Sequence, residues 1–200
     1  MEEISLKIIT VGGEAVGKTS LLETYTTDRF PTKPSSTIFE SYFANSVVDR
    51  KIAKTSLWDT SGLEEYDGMR PICYLQTDVF LFVFNVASRD SLDELKTKWL
   101  PEVRAVCPNA PLVLVGTKSD LRDDAEMCAR MRESGRSFVS TSEAEIFAER
   151  IGAACYVECS AMFHRNVRSA FEKAIRAAMT AKSPSKKSKK SKKDSGCSIM

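Results

Sequence analysis

One histidine, His164, serves all 200 residues, and the six cysteines (Cys73, Cys107, Cys128, Cys155, Cys159 and Cys197) stand singly or four apart without C-x-x-C spacing. Neither a structural zinc site nor a disulfide framework is expected from such a set. The longest apolar run, residues 79–84, falls far short of a bilayer span. The start, MEEISLKIITVGG, has no basic region or small-residue cleavage site of the secretory kind, so a cytosolic chain is expected. No internal repeat is visible, and the length suits a single domain with a proper core.

Charge is spread unevenly. Residues 182–200 hold seven lysines and one aspartate, leaving 22 basic against 26 acidic residues in 1–181. The division expected is therefore a mildly acidic domain over 1–181 and a flexible polybasic tail over 182–200. Its last four residues, Cys197-Ser198-Ile199-Met200, fit the C-a-a-X prenylation signal, with methionine favouring farnesyl at Cys197. One lipid chain binds a membrane only marginally, but each lysine near an anionic leaflet adds about 1 kcal/mol, so lipid and lysines together suffice as an anchor. An anionic membrane, rather than nucleic acid, is the partner this tail implies. The expected location is the cytoplasmic face of the plasma membrane or endomembranes, with a cytosolic pool. Five serines interleave with the lysines (Ser183, Ser185, Ser188, Ser191, Ser195), where phosphorylation would cancel charge.

In the body, short apolar runs at 6–11, 55–58, 79–86, 112–115 and 156–159 read as strands. Apolar residues at three- and four-residue spacing over 18–25, 91–106, 143–151 and 167–178 read as helices packed by one face. Strand and helix alternate, which predicts an α/β fold: a mostly parallel six-stranded sheet with helices on both faces and ligands beyond the carboxyl ends of the strands. Residues 42–48 alternate more and suit an antiparallel edge strand. A charged helical stretch between 121 and 140 reads as an exposed insertion.

Three constellations carry chemistry. Gly12-Gly13-Glu14-Ala15-Val16-Gly17-Lys18-Thr19, followed by Ser20, matches G-x-x-x-x-G-K-[ST] between a strand and a helix. Glycines there let backbone N–H groups close on phosphate, Lys18 supplies charge to the β- and γ-phosphates, and the Thr19 hydroxyl suits magnesium. Asp59-Thr60-Ser61-Gly62 follows a strand; Asp59 can hold magnesium through water, and Gly62 admits backbone close to the γ-phosphate. Thr117-Lys118-Ser119-Asp120 offers a carboxylate to the ring N–H and exocyclic amine of guanine, a donor pair adenine lacks, so GTP and GDP are expected over ATP. Ser160-Ala161 would add a backbone N–H for the guanine oxygen.

Over essentially its whole length the chain resembles the Ras superfamily of small GTPases, specifically the Rho/Rac branch, through SLWDTSG, EEYDGMRP, TKSDLRDD with its insertion, and YVECSAM. The resemblance implies a P-loop NTPase G domain with a Rho-type insertion at about 122–140. It implies that Thr37 of switch I ligates magnesium and senses the γ-phosphate, that Phe30 flanks the guanine, and that residues 60–71 form switch II. Phe39, Glu40 and Tyr42 would lie on the effector-contacting face. Effectors, guanine exchange factors and dissociation inhibitors would be partners, actin organisation or membrane traffic the process, and a monomer the default state.

Three positions depart from that pattern. Glu14 stands where relatives carry glycine beside the γ-phosphate, so that a charged side chain crowds the attacking water and an activating arginine. Leu63 stands where a glutamine orients that water, and leucine cannot hydrogen-bond it. Arginine assistance is worth roughly 10³–10⁵ in rate, so slow hydrolysis and a mostly GTP-bound protein are expected unless another group, such as Glu64 or Glu65, positions the water; in that case the chain is a normally cycling switch enzyme. Pro34 stands where relatives often carry a tyrosine that covers the phosphates, which predicts either a looser switch I with faster nucleotide exchange or, equally, a stiffened closed loop.

Overall fold

The computed structural model describes residues 2–32 and 38–183. Six strands, β1 (Glu2–Val11), β2 (Phe39–Val48), β3 (Lys51–Thr60), β4 (Val79–Asn85), β5 (Leu112–Thr117) and β6 (Cys155–Glu158), form one sheet in the order β2-β3-β1-β4-β5-β6. β2 pairs antiparallel with β3, and the other pairings are parallel. The sheet is therefore mixed, as the patterning of residues 42–48 predicts. β2 and β3 both run several residues beyond their apolar kernels, because the hairpin through Asp49 and Arg50 lets them pair along their full length. Both turn residues take positive φ (49° and 64°), which matches the twist of a two-residue hairpin.

Alternation along the strands builds two cores. Ile8, Leu57, Leu81, Val83 and Val115 pack against α1 (Lys18–Thr27) and α7 (Val167–Lys182), whose Leu21, Leu22, Phe171 and Ile175 are buried with them. Ile9, Phe80, Phe82, Phe84 and Leu114 face the other layer, where Tyr74, Leu95, Trp99, Val103 and Ala148 close over them. β4 is buried on both sides, which is why it reads as a continuous apolar run. Slipping its register by one residue would exchange every Phe for a Val or Leu between the two cores, so the pairing is strongly specified.

The second layer starts with a short helix that sequence periodicity did not announce, α2 (Arg70–Cys73). The helix expected over 91–106 is three pieces in continuity: α3 (Arg89–Glu94), a π-helical turn (Leu95–Trp99) and α4 (Leu100–Val106). Pro101 has no N–H for the carbonyl of Thr97, and the hydrogen-bond ladder widens just before it. The insertion forms α5 (Ala125–Glu133), mostly exposed with Met131 buried, and α6 (Thr141–Arg150) begins at a capping box of Ser140 and Glu143. α7 ends at Lys182, whose ammonium meets Asp78 at 2.8 Å. No helix among the described residues is long and apolar enough to cross a membrane.

Candidate functional site

The loops after β1, β3, β5 and β6 gather at the carboxyl edge of the sheet, and they carry the three sequence constellations. The loop from β1 to α1 is fixed by glycine. A Cβ on Gly12 (φ 150°) would lie 2.2 Å from the Val83 carbonyl oxygen, and Gly17 (φ 103°) holds the left-handed conformation that starts α1. Lys18, at the first position of α1, is buried and curls back over the loop, donating to the carbonyls of Gly12 at 2.9 Å and Gly13 at 2.7 Å. Burial pushes its ammonium down to about 8, against the opposing pull of Asp59, Glu14 and Glu94.

The side chains of Thr19 and Asp59 meet at the loop's mouth, the hydroxyl donating to Asp59 Oδ2 at 2.6 Å. Asp59 is fully buried at the end of β3, where Thr10 also approaches its other oxygen at 3.5 Å. A hydroxyl and a carboxylate side by side are hard oxygen donors of the kind magnesium selects. Gly62 packs directly on the phosphate loop: a Cβ there would stand 2.5 Å from the Gly13 carbonyl carbon and 2.6 Å from the Glu14 nitrogen. Thus the segment after β3 and the third position of the loop share one surface.

The loops after β5 and β6 are tied to the same edge. The Thr117 hydroxyl donates to the carbonyls of Val16 and, at 2.9 Å, Phe84, and Lys118 (φ 59°) reaches the Ala15 carbonyl at 2.8 Å. Asp120 lies in the single 3-10 turn Ser119–Arg122, and the Ser119 N–H donates to the Cys159 carbonyl at 3.1 Å, which brings Asp120 next to Ser160 and Ala161. Ser160 is buried and closes its turn through hydrogen bonds with Arg165 and Phe163. Arg122 locks the pair from behind, with both its bonds to Glu158 at 2.7 and 2.9 Å. Ser20 is half-buried on α1, and Phe30 stands 39% exposed beyond its end.

Leu63 is half-buried next to Gly62, while the exposed carboxylate of Glu64 faces Lys98 at 3.8 Å and that of Glu65 pushes the neighbouring Tyr66 hydroxyl up. Phe39 meets Tyr66 edge to face at 6.2 Å, and Glu40 accepts from Tyr42 at 2.5 Å on the outer strand. Glu14 is exposed at the mouth. Thr37, Pro34 and Cys197 lie outside the described residues.

Three residues of this neighbourhood escape sequence reasoning. Arg70 is wholly buried; it donates to the carbonyls of Ser61 and Leu63 and is held by Glu102 and Asp67. An arginine and a glutamate thirty-two residues apart read as surface charges, and nothing local pairs them. Glu94, at the end of α3, brings its carboxylate to the space a side chain on Gly13 would fill, 2.6 Å from that Cβ position. Its sequence signal is only that of an exposed helical acid.

Residues 7–180 match the model of the Ras family. The chain is also similar to the GTP-binding protein rho2 of Schizosaccharomyces pombe, 43% identical over 181 residues that make up 90% of each chain. With the six-stranded mixed sheet and the loop arrangement above, these likenesses lead to one conclusion: the chain belongs to the Ras family, as a Rho-branch small GTP-binding protein.

Proposed function

We propose that this Rho-branch protein holds GTP and magnesium, loses the γ-phosphate slowly, and so acts chiefly as a GTP-loaded platform for effectors at a membrane. Ras-family GTPases bind GTP and GDP, generally with Mg²⁺. The residues assigned here to the phosphates are the backbone of Gly12 to Gly17 and the Lys18 ammonium. Magnesium would be held by Thr19, by Thr37, and through water by Asp59, and it would neutralise charge on the phosphate oxygens. Asp120, Lys118, Phe30 and the Ser160-Ala161 turn would take the guanine.

The observation that carries the slow-hydrolysis reading is the surroundings of Leu63. Its apolar side chain follows Gly62 where that glycine abuts the phosphate loop, and the two carboxylates after it, Glu64 and Glu65, are exposed, Glu64 facing Lys98 at 3.8 Å. On this reading neither replaces a water-orienting amide, and Glu14 adds negative charge on the approach. Effectors would meet the exposed surface of β2 and the segment 60–71, with Ile38 just before the strand, Met69 in the segment and Ile72 just after it all exposed. Exchange factors and dissociation inhibitors are partners proposed from the family, and membrane attachment through the polybasic tail and Cys197 from the sequence alone. Actin organisation or membrane traffic is the proposed process.

Single-turnover hydrolysis tests this reading. Protein loaded with GTP and magnesium is followed for bound GTP and GDP, with and without a Rho-family activating protein. Persistent GTP in both conditions is expected, whereas prompt conversion to GDP would restore a normally cycling switch enzyme.

A further inference from the structure

Two carboxylates stand at successive residues of the phosphate loop: Glu14 at its third position and, beside Gly13 at its second, Glu94 from α3. Glu14 belongs to the loop itself. Glu94 arrives from helix α3 and occupies the volume that a side chain at Gly13 would need, its Oε2 2.6 Å from the Cβ position. The same Gly13 presents its carbonyl to the Lys18 ammonium at 2.7 Å and its backbone to Gly62, so Glu94 lies against the residue that meets both Lys18 and the segment proposed to face the γ-phosphate. Both acids act electrostatically on Lys18, as does Asp59. Asp59 is the proposed partner of magnesium and is neutralised when the metal binds; Glu14 and Glu94 are exposed and have no ion pair among the described residues.

We propose that Glu94 is a specificity-determining residue of the nucleotide site, which together with Glu14 lowers the preference for nucleoside triphosphate over diphosphate. The inference rests on the guanine-nucleotide reading above and deepens it. A triphosphate would place one more unit of negative charge near this part of the loop than a diphosphate, while the β-phosphate would lie deeper, against the start of α1. A carboxylate beside Gly13 therefore opposes the triphosphate more. Glu94 is exposed, so water and salt weaken its field, and the effect expected from it is about three- to tenfold in relative affinity rather than orders of magnitude. Leu63 and Glu94 then act on different steps: the first slows loss of the γ-phosphate, the second weakens its initial capture.

The test is equilibrium displacement of a fluorescent methylanthraniloyl-GDP from the full chain by GDP and by GTPγS, at low and high salt with magnesium present. Glu94→Gln keeps the shape and removes the charge; Asp93→Asn, one residue earlier on the same exposed turn, is the control. The expected result is a rise of about three- to tenfold in the GTPγS-to-GDP affinity ratio for Glu94→Gln at low salt, shrinking at high salt, with no change for Asp93→Asn. An unchanged ratio, an equal shift of both nucleotides, or the same rise in both variants would overturn the inference while leaving the nucleotide reading intact. Failure of the unaltered chain to bind the fluorescent GDP would overturn both.

Discussion

Arg70 donates from one guanidinium nitrogen to both carboxylate oxygens of Glu102, at 3.2 and 2.9 Å, and from its others to the carbonyls of Ser61 and Leu63. A charge buried at the sheet's edge thus ties helix α4 to the segment that follows β3. The guanidinium also lies 4.4 Å over the ring of Trp99, and Tyr74 donates to the same Glu102 at 2.5 Å. Glu102→Ala leaves Arg70 buried with Asp67 as its remaining acid, and removing one partner of a buried pair costs several kcal/mol. With Asp67 compensating in part, the expected loss is about 2–4 kcal/mol of unfolding free energy. In urea denaturation the midpoint should fall with the slope unchanged, and proteolysis within residues 61–69 should accelerate.

Glu143 makes stability depend on acid. Its carboxylate is held down to about 2, first by the Ser140 backbone N–H, then by Arg89 and the Ser140 hydroxyl. A carboxylate lowered on folding stabilises the native state above its unfolded value of 4.5 and loses that contribution as pH falls toward 2. The side chain is 45% exposed, so solvent screens the pair and the contribution is about 0.5–1 kcal/mol. Glu143→Gln should therefore be less stable than the parent at pH 7 by that amount, and the difference should close between pH 4.5 and 2 in paired urea titrations.

Much of this arrangement is written locally, and some of it is not. β4 announces itself because six consecutive apolar side chains must be buried on both faces, and the phosphate loop because glycines stand where a Cβ would strike Val83 or the loop itself. The π-helical turn before Pro101 and the helix at Arg70 leave no periodic trace, since four or five residues are too few to show a period. Arg70, Glu102 and Glu94 escape for another reason. Charged residues default to water, and only the tertiary fold decides that Arg70 is covered by Trp99 or that Glu94 fills the absent side chain of Gly13.

Selection of the base is expected to rest on Asp120. Its turn is braced by Ser119 against Cys159 and by Arg122 against Glu158, so a substitution at 120 should leave the loop in place. Asp120→Ala removes a charged acceptor of two guanine donors, each worth about 1.5–3 kcal/mol, so GTP and GDP affinity should fall by at least about two orders of magnitude. ATP affinity should hardly move. Competition of both nucleotides for fluorescent GDP measures the two together, and an equal loss for ATP would mean that position 120 supports the loop rather than reads the base.

On the proposed reading, faster hydrolysis is expected only when both departures are reversed. Leu63→Gln would supply an amide able to orient water next to Gly62, but Glu14 would still crowd the approach of an activating arginine. Glu14→Gly clears the approach without supplying the amide. Groups that act together in one transition state are non-additive, so each single variant should recover little stimulated activity. The double variant should gain roughly 10³–10⁵ in rate with an activating protein present, the range such assistance provides. Single-turnover rates on all four proteins decide the point: full recovery by Leu63→Gln alone would show that Glu14 obstructs nothing, and failure of the double variant would place the block elsewhere, with Pro34 and its segment the next to change.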